Sequence, residues 1–184
     1  MNLPNRLTML RVVLIPLFVL AFLMSSVSDW IALVIFVAAG FTDFLDGEIA
    51  RKQNIVTDFG KLMDPLADKL MITAALVCFT GAGLVHPAVT ILIISREMLV
   101  TGLRTLAVSK GKVIAADFWG KFKTVSQDVT IILILIWQSI GTGIVADILG
   151  KVSYWCIWIM TILTLISAVN YCIKNKELFM DAAK

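Results

Sequence analysis

Little in this chain marks it as a soluble enzyme. Histidine occurs once in 184 residues, and cysteine three times. Cys78, Cys156 and Cys172 fall inside apolar stretches at no metal-ligand spacing, so they read as small membrane-buried residues. With His86 alone, a zinc site has no ligands to draw on. No G-x-x-x-x-G-K-[ST] or G-x-G-x-x-G segment occurs, which removes the P-loop and dinucleotide-binding readings. No low-complexity linker divides the chain, so residues 1–184 read as a single domain. Charged residues make up only 16%, and the basic ones never cluster densely enough to argue for nucleic acid.

What is present is apolar bulk. The chain is 59% hydrophobic with a mean hydropathy of +0.93, against roughly 45–50% apolar usage in soluble domains. Six stretches approach the roughly 20 residues that cross a bilayer, at about 7–27, 30–49, 64–84, 87–108, 123–143 and 148–172. The fold class expected is therefore an all-α integral membrane protein of six transmembrane helices. The first stretch holds only Arg11 as a charge and lacks a small-residue cleavage site, so it reads as a retained span, not a signal peptide. Alternate connections carry Arg6 and Arg11, then Arg51, Lys52 and Lys61, then Lys110, Lys112, Lys121 and Lys123, and last Lys174, Lys176 and Lys184. The opposite set holds Asp29, His86, Asp147 and the single exception Lys151. The positive-inside rule then puts both termini on the cytoplasmic face of a bacterial-type cell membrane. Trp30, Trp119, Trp137, Trp155 and Trp158 fall mostly near span ends, as interfacial residues do. Gly81-Ala82-Gly83, Gly141-Thr142-Gly143 and His86 before Pro87 read as turns on the outer face.

Four aspartates stand at the edges of the second and third apolar runs: Asp43, Asp46, Asp64 and Asp68. A charge at the bilayer centre costs about 2.5–3.5 kcal/mol even on mild insertion scales, so four acids at one membrane face call for a cation. If residues 43–51 continue the second helix at about 100° per residue, Asp43, Asp46, Gly47, Ala50 and Arg51 share one face. Asp64 and Asp68 lie one turn apart on the next helix. Two acids from each of two helices can converge on a pair of hard divalent ions, Mg²⁺ or Mn²⁺. Gly47 and Ala50 keep the surface low, and Arg51 offers a planar fork suited to phosphate oxygens. Any one of these acids alone could be a solvated cap, and Asp64 beside Pro65 a helix start. Four together argue for a metal site. Glu48 points away from the shared face, and Asp58 has no assigned role.

The pattern D-x-x-D-G-x-x-A-R, eight residues, then G-x-x-x-D-x-x-x-D, running from Asp43 to Asp68 through Gly60, resembles the signature of the CDP-alcohol phosphotransferase family at every fixed position. The resemblance implies a six-helix, usually dimeric membrane enzyme with a cytoplasm-facing polar active-site cavity. Such an enzyme transfers a phosphatidyl or related group from a CDP-linked donor to an alcohol and releases CMP. It implies that Asp43, Asp46, Asp64 and Asp68 bind two divalent metal ions, with Asp68 also the general base. It implies donor contacts from Asp46, Gly47, Ala50, Arg51, Thr57 and Gly60. Pro4-Asn5-Arg6-Leu7-Thr8-Met9-Leu10-Arg11 is similar to the family's P-N-x-L-T-x-x-R opening, where Asn5 and Thr8 would help bound the nucleotide pocket. Ser95-Arg96-Glu97, Gly102-Leu103-Arg104 and Gly120-Lys121-Phe122-Lys123-Thr124 resemble the phosphatidylglycerophosphate synthase branch. That branch implies CDP-diacylglycerol as donor, glycerol 3-phosphate as acceptor and phosphatidylglycerol phosphate as product. The resemblance covers residues 4 to about 127; the remainder looks like generic spans.

Arg96 and Glu97 fall near the middle of the fourth stretch, with Arg104 two turns closer to the cytoplasm. An arginine there should face the bundle interior and meet either Glu97 or an anionic ligand. One reading is a structural Arg96–Glu97 bridge. The other is a pocket for the phosphate of glycerol 3-phosphate, built from Arg96, Arg104, Lys121 and Lys123. Lys110 and Lys112 read as loop charges. Two rival functions remain: the same chemistry with another acceptor (inositol phosphate, serine or phosphatidylglycerol), or a divalent-cation transporter using the acids as an ion path. The transporter reading is weakened by the clustering of the acids at one face and by Gly47, Ala50 and Arg51, which a conduction path does not need.

Overall fold

The computed structural model describes the backbone of residues 3–24, 28–53, 58–109 and 118–175, and the side chains of 8–24, 30–43, 66–67, 69–107 and 118–175. Among these, six α-helices and no strand are found: α1 Leu3–Leu23, α2 Ser28–Gln53, α3 Asp58–Gly81, α4 Pro87–Ser109, α5 Phe118–Ile140 and α6 Ile144–Lys174. Each expected stretch corresponds to one helix. Several run well past the apolar run that announced them, because polar residues extend a helix without signalling burial.

Two antiparallel hairpins, α1–α2 and α5–α6, form the most extensive packing, with α3 laid against α1, α2 against α5 and α4 against α6. The core joins α1, α2 and α3 through aromatic rings: Phe18 lies 6.1 Å from Phe36 and Phe22 lies 5.5 Å from Phe79, centroid to centroid. Small buried residues, among them Ala32, Ala39, Ala67 and Ala75, let the backbones approach. On α6, Gly150 does the same: a Cβ there would come within 3.0 Å of the Trp137 ring on α5.

α6 has an inverted pattern. It buries Ser153, Thr161, Thr164 and Ser167 and exposes Trp155, Ile162, Val169 and Ile173. Two of the buried hydroxyls bond back to their own helix, Thr161 to the Ile157 carbonyl at 2.7 Å and Thr164 to that of Met160 at 2.8 Å. Apolar side chains outside and small polar ones inside suit a helix facing lipid. α6 is also the helix long and apolar enough, among the described residues, to cross a membrane on length and composition. Shorter apolar stretches occupy Thr8–Leu23, Trp30–Asp43 and Lys69–Gly81.

The structure changes one local expectation. α3 begins at Asp58, so Asp64 and Pro65 lie inside a helix and do not start one. The two glycine segments do form turns. Gly83 (φ 73°), Gly141 (φ 77°) and Gly143 (φ 123°) adopt left-handed conformations that side chains disfavour. His86 closes the first turn by capping α4: its Nδ1 accepts the Ala88 N–H at 3.2 Å, and Pro87 opens the helix without needing a donor.

Candidate active site

α2 is helical without interruption from Asp43 to Gln53. Asp43, Asp46, Gly47, Ala50 and Arg51 therefore fall along one side of a continuous rod. α3 likewise carries Asp64 and Asp68 one turn apart. The side chains of Asn5, Asp46, Gly47, Ala50, Arg51, Gly60, Asp64 and Asp68 lie outside the described set, and Thr57 lies outside the described residues altogether. Among the described side chains, no group of three or more potential metal ligands comes together.

Asp43 is described, and it is half exposed. Its Oδ1 lies 2.8 Å from Nη1 of Arg11, whose side chain is buried. Thr8, one turn earlier on α1, is also fully buried. Arg11 and Asp43 face a cavity of about 400 Å³ that is also lined by Gly40, Met71, Ile72 and Asp128. Helices α1, α2, α3 and α5 thus meet around a carboxylate that stays open to solvent. The motif's four aspartates are oxygen ligands of the kind hard divalent cations take, and Asp43 is the one whose described side chain opens onto this cavity. The pairing of Arg11 with Asp43 was not foreseen. The available signal was that Arg11 is the lone charge in its apolar run, which obliges it to find an anion. Asp128 carried no signal; its place on the cavity wall follows from how α5 packs against α2.

The basic residues form a second centre on α4, α5 and α6. Arg96 donates from Nη1 to Oε1 of Glu97 at 2.9 Å and from Nη2 to the Ser167 hydroxyl at 2.6 Å. Lys123 bonds the same Glu97 oxygen from α5. Arg96 and Lys123 are both buried, Lys123 to 1% exposure. Gly120 lies beside the guanidinium, where a Cβ would make an ordinary 3.7 Å contact with Nη2. Arg104 and Lys121 are exposed, and among the described residues neither joins this network. Glu97 also lines a second cavity, about 700 Å³, between α3 and α4. Lys69 stands on the opposite wall and donates to the Thr101 hydroxyl. In the sequence Lys69 carries no signal beyond its position directly after Asp68.

The sequence model for CDP-alcohol phosphatidyltransferase matches residues 1–166 of this chain. The chain is 36% identical to the CDP-diacylglycerol–glycerol-3-phosphate 3-phosphatidyltransferase of Bacillus subtilis (strain 168), with 96% of each chain covered. It is 39% identical to the protein of the same name from Rickettsia felis, covering 94% of this chain and 96% of that one. Against the Haemophilus influenzae protein of that name the figures are 37%, 98% and 96%.

Proposed function

The chain belongs to the CDP-alcohol phosphatidyltransferase family, and from that premise we propose that it transfers the phosphatidyl group of CDP-diacylglycerol to glycerol 3-phosphate. The products are phosphatidylglycerol phosphate and CMP, a step of phospholipid biosynthesis. Near-complete coverage of several proteins bearing that enzyme's name supports the reading. The structural observation that carries it is the meeting of the acid-bearing helix with a buried cationic network: Lys69, beside Asp68 on α3, faces Glu97, which holds Arg96 and Lys123. A plain alcohol acceptor would need no buried cations; an anionic one does.

In this reading Asn5, Thr8, Gly47, Ala50, Arg51, Thr57 and Gly60 bound the CDP part of the donor. Arg51 forks onto phosphate oxygens where Gly47 and Ala50 leave room. The family is in general dependent on a divalent metal. Two such ions, Mg²⁺ or Mn²⁺, held by Asp43, Asp46, Asp64 and Asp68, would neutralise the pyrophosphate and stabilise charge on the departing CMP. Asp68 accepts the proton of the glycerol 1-hydroxyl as that oxygen bonds the β-phosphorus. The bond from that phosphorus to the bridging oxygen breaks, and CMP leaves with the electron pair. A carboxylate is a weak base for an alcohol, but a positioned one can take the proton as attack develops. Arg96 and Lys123 hold the acceptor phosphate, and exposed Arg104 and Lys121 add positive charge around it. The diacyl tails stay in lipid against the apolar exterior. Six spans, with both termini and the site on the cytoplasmic side, and a homodimer complete the proposal.

The deciding experiment is CMP release from CDP-diacylglycerol by purified protein, with glycerol 3-phosphate, inositol phosphate, serine and phosphatidylglycerol offered in turn. Turnover with glycerol 3-phosphate alone is expected. No CMP release with any acceptor would remove the enzyme reading, and release with another acceptor would reassign the pocket.

A further inference from the structure

We infer that Gln127 selects a polyol phosphate as acceptor by hydrogen bonding the secondary hydroxyl that lies beside the phosphate. The inference rests on the acceptor pocket proposed above and adds to it the group that reads the carbon chain. Gln127 stands on α5 and is fully buried. Among the described residues neither its Oε1 nor its Nε2 has a hydrogen-bond partner. Buried polar groups are nearly always bonded, and a primary amide brings two donor hydrogens and an acceptor oxygen that all go unanswered here. A second group in the same region shares this state. Buried Arg96 donates from Nη1 to Glu97 and from Nη2 to Ser167, while its Nε has no partner among the described residues.

Gln127 lies one turn beyond Lys123 on the same buried face of α5. Side chains four residues apart on a helix start about 5–6 Å from each other. A phosphate held by Lys123 and Arg96, with the hydroxyl of the adjoining carbon at Gln127, bridges such a span. The depth along the bundle agrees. One cavity is lined together by Met71 and Ile72 of α3 and by Asp128 and Ile132 of α5. The part of α3 that follows Asp68 therefore runs beside the part of α5 that follows Gln127. An acceptor reaching from Lys123 towards Gln127 thus has its free end at the level of the proposed proton acceptor. The amide suits a hydroxyl group, since Oε1 can accept its proton and Nε2 can donate to its oxygen. Glycerol 3-phosphate carries that hydroxyl on C2, between the phosphate and the attacking 1-hydroxyl. A substrate without it leaves the buried amide unanswered, which penalises that substrate by more than one missing contact.

The rival explanation is that Gln127 only fills space between α5 and its neighbours. A substrate analogue tells the two apart. 3-Hydroxypropyl phosphate keeps the phosphate and the attacking primary hydroxyl of glycerol 3-phosphate and lacks only the C2 hydroxyl. The full-length enzyme in detergent, with saturating CDP-diacylglycerol, is compared with Gln127→Met, which keeps the side-chain length and removes the amide. kcat/KM is measured for both acceptors in each. The wild type should prefer glycerol 3-phosphate by at least about tenfold. Gln127→Met should lose at least about tenfold with glycerol 3-phosphate and change little with the analogue, bringing the ratio close to one. Its unfolding temperature without acceptor should hold or rise, because an unpaired buried amide gives way to an apolar group of similar shape. An unchanged preference in Gln127→Met, whether both rates fall together or neither does, would overturn the inference. So would a wild type that uses the two acceptors equally. If Gln127→Met does not fold, Gln127→Leu is read by the same ratio and the same two outcomes. A wild-type enzyme that releases CMP with neither of these phosphates, but with another acceptor, would instead overturn the parent reading.

Discussion

Nη1 of Arg11 stands 2.8 Å from Oδ1 of Asp43, so the first helix is fastened to the acidic motif on the second. The two ends of this pair differ in exposure: the Arg11 side chain is 2% exposed and that of Asp43 47%. The aspartate can therefore face a ligand while the guanidinium stays inside.

Asp43→Asn should abolish turnover and also lower metal-free stability, since buried Arg11 loses a charged partner. The half-exposed carboxylate is screened by solvent, which limits the expected cost to about 1 kcal/mol. Thermal unfolding in detergent with excess chelator measures it. An unchanged midpoint would mean that the pair contributes nothing to the fold.

Chelation of the wild-type enzyme should stop CMP release, and Mg²⁺ or Mn²⁺ should restore it. Asp46→Asn, Asp64→Asn and Asp68→Asn should each lose nearly all activity while the protein still inserts. Full activity in excess chelator would exclude the two-metal reading.

Burial separates the two arginines of α4. Removing the buried Arg96 guanidinium deletes a charge-assisted contact of roughly 1.5–3 kcal/mol, or about 10- to 150-fold in kcat/KM for glycerol 3-phosphate. Exposed Arg104 should contribute no more than about 1 kcal/mol, near fivefold. Kinetics of Arg96→Ala and Arg104→Ala with each substrate varied in turn give the order. A larger acceptor effect for Arg104→Ala would move the phosphate away from Lys123 and towards the end of α4.

Topology can be read by labelling single cysteines in intact cells, in a background free of Cys78, Cys156 and Cys172. A cysteine at position 86 should react with an impermeant reagent, and one at position 112 should not. Labelling of position 112 from outside would invert the proposed orientation.

Much of the architecture could be read from the residues alone. The six apolar runs became six helices, and the expectation that residues 43–51 prolong the second one matches α2 reaching Gln53. Glycine and proline marked the turns at 81–86 and 141–143 because those backbone conformations leave few other choices. Arg96 was expected to meet Glu97 or a ligand, and it meets Glu97. The remainder depended on which faces touch, and periodicity does not carry that information. Lys123 and Lys121 looked alike in sequence, yet one is buried on Glu97 and the other is exposed. Lys69 is illegible in the sequence because a lysine after an aspartate resembles any solvated charge until α4 supplies Thr101 opposite it.

The turn at Gly141-Thr142-Gly143 joins the ends of α5 and α6 remote from Lys123 and Ser167. Every described side chain of the two centres stands on a helix, and none stands on this turn. Lengthening a loop costs only about 0.6 kcal/mol per doubling. The connection is therefore a natural attachment point: an affinity tag or a rigid fusion partner inserted after Thr142 would leave both centres untouched, provided Gly150 keeps its seat against Trp137.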